Sequence, residues 1–190
     1  LSRLIAGGAA SPESRVLFVN DGSRDSTWEI ICKLHEEDPL FLGVSLSRNR
    51  GHQNALLAGL MTAMGRCDLS ISMDADLQDD IEALDAFLAR YQEGCDVVYG
   101  VRSSRASDTV FKRETAGLFY KLMRWMGTPV VDNHADYRLM SARAMEALSQ
   151  FEEVNLFLRG IVPLVGFKTA IVTYERHERF AGQSKYPLKK

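Results

Sequence analysis

Short apolar runs bounded by turn residues recur at Val16 to Val19, Phe41 to Leu46, Leu69 to Met73 and Val97 to Tyr99. Each has the length of a buried strand. Between them the apolar positions change to helical spacing. Trp28, Ile31 and Leu34 repeat along a segment that opens with Ser26 and Glu29, spaced as a capping box. Leu56, Leu57, Leu60, Met61 and Met64 form the stripe of a second helix, which follows Gly51 and ends at Gly65. A third helix is expected over Ile81 to Glu93, stopped by Gly94, with Asp79, Asp80 and Glu82 suited to its positive end. Strands alternating with helices predict an α/β class: a doubly wound, mainly parallel sheet with helices on both faces. Ligands of such sheets gather at the carboxyl ends of the strands.

Composition narrows this picture. With 190 residues, 46% of them hydrophobic, the chain can bury one sizeable core, and a single domain is expected. A net charge of -2 gives no global case for nucleic acid as a partner. Cys32, Cys67 and Cys95 are far apart and form neither a C-x-x-C nor a Cys/His pattern, so they read as reduced, buried thiols of a cytosolic protein. No run approaches the roughly 18 to 20 apolar residues needed to span a bilayer, and no leader is visible, so the segment itself reads as soluble. It nevertheless opens inside an apparent helix, Leu1 to Ala6, and stops on the basic run YPLKK, which reads as a piece of a longer polypeptide.

The residues just after the apolar runs are polar. In FVNDGSRDST, Asn20, Asp21 and Gly22 form a tight turn that leaves the Asp21 carboxylate, next to Ser23, at the sheet edge. It can accept hydrogen bonds from a base or ribose there; a plain turn before a capped helix is spelled the same way. In SRNRGHQNAL, Arg48 and Arg50 flank Asn49, and Gly51 and His52 open the next helix, an arrangement suited to a diphosphate or, alternatively, to solvated charges around an exposed cap. Neither GxGxxG nor GxxxxGK[ST] occurs.

The sharpest local signal is ISMDADLQDD, where Asp74, Asp76 and Gln78 bring oxygen ligands together. Mg²⁺ and Mn²⁺ take such ligands and keep places open for substrate phosphates. Further on, Arg102, Arg105, Lys112 and Arg113 adjoin an aromatic amphipathic segment around Phe119 and Trp125, fit to lie on a membrane surface or to pack on the sheet. Asp136, in HADYRLM, can order sugar hydroxyls or pair internally with Arg138. Arg176, Arg179, Ser184 and Lys185 occupy a glycine-containing basic segment suited to phosphates or anionic lipid.

In order along nearly the whole chain, VNDGSRDST, SRNRGHQNAL, DADLQD, YGVR with FKR, HADYRLM, NLFLRGIVPLVGF and AGQSKYPLKK resemble the family 2 glycosyltransferases. The likeness is specifically to the bacterial polyprenyl-phosphate sugar transferases related to dolichol-phosphate mannose synthase. It implies a GT-A fold, a nucleotide-sugar site of Asp21, Ser23, Arg48, Asn49, Gly51, His52, Asp74 and Arg179, and Mg²⁺ or Mn²⁺ on Asp74, Asp76 and Gln78. It also implies an acceptor-phosphate site of Arg102, Arg105, Arg113 and Lys185, with Asp76, Asp136 and Arg113 in catalytic roles.

The implied reaction is inverting transfer of a hexose or N-acetylhexosamine, from a UDP-sugar in preference to GDP-mannose, to a polyprenyl phosphate at the cytoplasmic membrane face. Such a step serves cell-wall or surface-polysaccharide synthesis, in a protein that can pair with itself through its membrane regions. A hydroxyl acceptor, with Asp136 as base, and a non-catalytic nucleotide-sugar-binding module are the alternatives. Two departures stand out: the family's opening strand with its P-x-Y-N-E loop is absent, and Asp80-Ile81 replaces a proline-rich continuation. Family members continue past SKYPLKK into membrane helices, the expected place of the anchor.

Overall fold

The computed structural model describes residues 1–103, 134–151 and 157–175. The chain packs as two compact units: Leu1–Ser70 with Met140–Gly166, and Ile71–Leu139 with Phe167–Lys190.

In the first unit, helix α1 (Ser2–Ala6) buries Leu4 and precedes strand β1 (Val16–Asn20). β1 pairs in parallel with β2 (Phe41–Ser45), Val16 opposite Phe41 and Asn20 opposite Ser45. The connection is helix α2 (Thr27–Glu37), the kind of crossover that parallel neighbours require. Gly43 lets α2 approach β2: a Cβ there would stand 2.5 Å from the Ile31 Cγ2 and 3.1 Å from the Trp28 ring. The expected capping box does not form. Ser26 occupies the N-cap without a side-chain bond, and Asp25 instead accepts from the Thr27 amide (3.1 Å) and hydroxyl (2.5 Å). Those bonds favour the ionised carboxylate and hold the exposed Asp25 below the usual carboxylate range.

Helix α3 (His52–Ala63) follows β2 and buries Ala55 and Leu60. It stops where expected, with Gly65 in the left-handed conformation at φ 74°. Helix α5 (Ala142–Ser149) adds Ala144, Met145 and Leu148 to this core, its start capped by the Ser141 side chain. The short helix α6 (Leu158–Ile161) is tied to α3 through the Leu158 amide, which donates to Gln53 Oε1 at 3.1 Å.

The second unit is organised around a four-stranded sheet of order β3-β5-β4-β6. Its strands are β3 (Leu69–Ser72), β4 (Val97–Arg102), β5 (His134–Ser141) and β6 (Thr169–Tyr174), and the chain passes between the units within β3 and β5. β4 and β6 run parallel, Val97 opposite Thr169 and Arg102 opposite Tyr174. The third expected helix is present as α4 (Leu84–Gln92), preceded by a tighter 3-10 turn, Ile81–Ala83. β6, which the apolar-run pattern did not single out, alternates exposed and buried positions and ends on buried Tyr174.

Phe87 from α4 is fully buried and stacks on Tyr137, ring centroids 4.5 Å apart, and Tyr137 meets Tyr174 edge-on at 5.2 Å. Gly100 makes room for these rings: a Cβ there would lie 2.9 Å from the Tyr137 carbonyl oxygen and 3.2 Å from the Phe87 ring. The cysteines are unbridged, but only Cys95 is buried; Cys32 and Cys67 are partly exposed. Among the described residues no helix is long and apolar enough to cross a membrane.

Removing the ring at the centre of this stack is expected to be costly. Phe87→Ala should lower unfolding stability by about 3–5 kcal/mol, read as a lower denaturant midpoint at unchanged slope. A midpoint equal to that of the parent would contradict the stack as the centre of the second unit.

Candidate active site

The polar turns after the strands take shape separately in each unit. In the first, buried Asn20 donates from Nδ2 to the Ser45 hydroxyl (2.9 Å), tying the ends of β1 and β2, and accepts from the Ser23 amide (3.1 Å). Asp21 then spans two consecutive amides of the loop ahead of α3: Oδ1 accepts from Arg50 at 2.6 Å and Oδ2 from Gly51 at 3.0 Å. The amides that suited a diphosphate are therefore engaged by a carboxylate of the chain itself. Each Asp21 oxygen retains a second lone pair, so the group can still receive a donor from a ligand.

Gly22 brings the turn against this loop. Its φ is 63°, and a Cβ would fall 2.5 Å from both the Arg48 carbonyl carbon and the Asn49 nitrogen. No side chain fits there. Asp21, Ser23, Arg48, Asn49, Gly51 and His52 are thus gathered on one pair of strand-end loops, with Ser23, Arg48, Asn49 and His52 exposed.

In the second unit, the Ser72 hydroxyl at the end of β3 donates to the Asp136 carbonyl oxygen (2.7 Å), fixing where the acidic turn begins. Asp74 and Asp76 are half-buried, and Asp76 Oδ1 accepts from the Gln78 amide at 3.2 Å. Between them and Gln78 stands Leu77, a non-glycine residue in the left-handed region (φ 57°) that leaves its side chain 64% exposed. Such a conformation costs a leucine free energy and reverses the chain, after which Gln78 and Asp79 are buried.

Asp79 departs from the role expected of it. Asp80 alone caps the following turn, accepting from the Glu82 amide at 2.9 Å. The Asp79 side chain is fully buried, and its Oδ1 receives the Tyr174 hydroxyl at 2.5 Å and Arg102 Nη2 at 3.3 Å. Arg102 Nε also donates to the Tyr174 oxygen, at 3.2 Å. Burial, and then the bond to Asp79, raise the Tyr174 hydroxyl well above its ordinary value, which keeps it a donor. Burial opposes the Arg102 charge, but Tyr174 and Asp79 outweigh it and raise the guanidinium further.

Asp136 is buried on β5, two residues from Arg138, whose guanidinium lies 5.4 Å from the centre of the Tyr99 ring. Arg105, Arg113, Arg179 and Lys185 lie outside the described residues, as does the aromatic amphipathic segment. Sequence reasoning missed Asp79 and Tyr174 as site residues. The available signal was the β-branched alternation TAIVTY, which identifies Tyr174 as an inward strand-end residue.

Among the described residues no three His, Cys, Asp or Glu side chains group around a metal position. The expected set has only two carboxylates, completed by an amide. In donor type the set fits a hard cation: oxygen-bearing side chains on one turn, which the Asp76 carboxylate braces by accepting from the Gln78 backbone amide.

The profile of Glycosyl transferase family 2 matches residues 2–149. An uncharacterized glycosyltransferase of Bacillus subtilis is 54% identical over 98% of this chain and 56% of its own length. A prophage bactoprenol glucosyl transferase homolog of Escherichia coli is 44% identical over 93% of this chain and 57% of its own. The bactoprenol glucosyl transferase of Shigella phage SfV is 44% identical over 92% and 56%. The chain therefore spans about half the length of the curated relatives it matches. Among solved structures, glucosyl-3-phosphoglycerate synthase from Mycobacterium tuberculosis, in complex with phosphoglyceric acid, aligns with a TM-score of 0.56 over 96% of this chain and 65% of its own, at 18% identity. That likeness concerns the fold, which is GT-A.

The crowding at Gly22 yields a test. Gly22→Ala should displace the Arg48–Asn49 backbone and weaken binding of a nucleoside diphosphate by about tenfold or more, measured by calorimetric titration. Unchanged affinity would show that this pair of loops does not form the nucleotide side of the site.

Proposed function

Because the chain belongs to glycosyl transferase family 2, we propose that it is the catalytic part of an enzyme that transfers a hexose from a UDP-sugar to a polyprenyl phosphate at the cytoplasmic membrane face. The reading extends to inversion at the sugar's first carbon and to use of Mg²⁺ or Mn²⁺. The acidic turn Asp74-Ala75-Asp76-Leu77-Gln78 carries it, in a chain whose relatives include proteins named bactoprenol glucosyl transferase.

Asp74, Asp76 and Gln78 are the residues that would hold the metal. When bound, such an ion neutralises charge developing on the departing nucleotide diphosphate. Asp21 fixes the loop that presents Arg48 and Asn49 to the donor, and Arg102 offers a cation, 29% exposed, to an acceptor phosphate. Arg105, Arg113 and Lys185 are assigned to the same phosphate, and Arg179 to the donor. A phosphate acceptor is already anionic near neutral pH, so attack needs no general base. Positioning and charge stabilisation then supply most of the rate.

The test uses the full-length protein in lipid, a panel of radiolabelled nucleotide sugars, and polyprenyl phosphate, with Mg²⁺ or Mn²⁺ and with chelator. Label from one donor should enter the organic phase only when metal is present, and Asp76→Ala should reduce kcat/KM about a hundredfold or more. Full transfer by Asp76→Ala with unchanged metal dependence would contradict the assignment. Labelling of water-soluble acceptors alone would replace the lipid phosphate by a hydroxyl.

A further inference from the structure

We infer that Tyr174 is a positioning residue for transfer: with Asp79 it locks the metal-binding turn to the end of β4 and fixes the direction of the Arg102 guanidinium. This rests on the reading of Asp74, Asp76, Gln78 and Arg102 just given. Tyr174 has no assigned part in that reading and is bonded to one of its groups, Arg102.

The geometry is a closed three-membered set. The Tyr174 hydroxyl donates to Asp79 Oδ1 (2.5 Å), its oxygen accepts from Arg102 Nε (3.2 Å), and Arg102 Nη2 reaches the same Asp79 Oδ1 (3.3 Å). Three chain segments are joined, since Asp79 follows the acidic turn directly, Arg102 ends β4 and Tyr174 ends β6. The strand register sets Arg102 and Tyr174 opposite each other. The next residue strengthens the join, because both the Ser103 amide (2.9 Å) and its hydroxyl (3.1 Å) donate to the Tyr174 carbonyl oxygen.

Stability alone gives a poor account of this arrangement. Asp79 Oδ2 is buried with no hydrogen-bond partner among the described residues, and Leu77, two positions earlier, holds a left-handed backbone. Both features are unfavourable, and they lie within three residues of each other beside the proposed ligands. An apolar residue at 79 would avoid the buried charge. What the carboxylate adds is a defined direction for a guanidinium, since Arg102 is bonded through Nε and Nη2 on one side and keeps its Nη1 side for an incoming phosphate. Tyr174 holds the Nε side, so the cation cannot swing about the single contact to Asp79.

The test compares full-length wild type, Tyr174→Phe, Asp79→Asn and the double variant in lipid. Mn²⁺ binding is followed by electron paramagnetic resonance in the presence of uridine diphosphate, alongside kcat, KM and melting temperature. Tyr174→Phe is expected to weaken Mn²⁺ binding about tenfold and to lower kcat about 10- to 100-fold, the range typical of residues that orient ligands. The donor KM should change little, and the double variant should lose less than the product of the two single losses.

A Tyr174→Phe protein that melts lower yet keeps Mn²⁺ affinity and kcat within twofold of wild type would overturn the inference. Should that variant not fold, Asp79→Asn carries the same two readouts and the same criterion. If wild type transfers no sugar to lipid phosphate, the functional reading fails, whereas the Mn²⁺ measurement still decides whether Tyr174 and Asp79 hold the turn.

Discussion

A carboxylate buried without exposure, as Asp79 is, must find a cation and hydrogen-bond donors or be excluded from the core. Tyr174 and Arg102 supply them, and they can do so only because β4 and β6 pair in parallel with those two residues opposite each other. A slip of one residue between the strands would put the two side chains on opposite faces of the sheet. The pairing of β4 with β6 and the burial of Asp79 are thus tied to one another. That interaction also stands behind the stack of Phe87, Tyr137 and Tyr174, whose last ring carries the hydroxyl.

The first unit uses a carboxylate in a similar way. Asp21 binds two backbone amides rather than a side chain, and holds the loop ahead of α3 against the turn at Gly22. In the first unit an acidic residue at a strand end secures backbone; in the second a buried acidic residue secures side chains from the ends of two strands. Glycines permit this closeness where it is needed. Gly22 admits loop backbone, and Gly100 admits the aromatic rings.

Much of this was legible in the sequence because it is local. The four apolar runs are strands, the helical stripes are helices, and Gly65 and Gly94 stand where helices end. Asp80 caps its turn as its position suggests. Asp79 was misassigned because its partners are 23 and 95 residues away, and only the β4–β6 pairing brings them together. Asp25 displaced Ser26 as the capping side chain through a single additional bond to the Thr27 hydroxyl, a competition that residue spacing does not decide. The order of seven motifs carried the family, which the match over residues 2–149 bears out. Individual strand-end residues carried far less.

The function proposed above is a single displacement by an acceptor that is already charged. The stereochemistry of the product tests this most directly. With an α-linked nucleotide sugar as donor, the sugar on the extracted polyprenyl phosphate should be β-linked, read from the coupling at its anomeric proton. An α-linked product would mean two displacements or a front-side path, and would contradict the account.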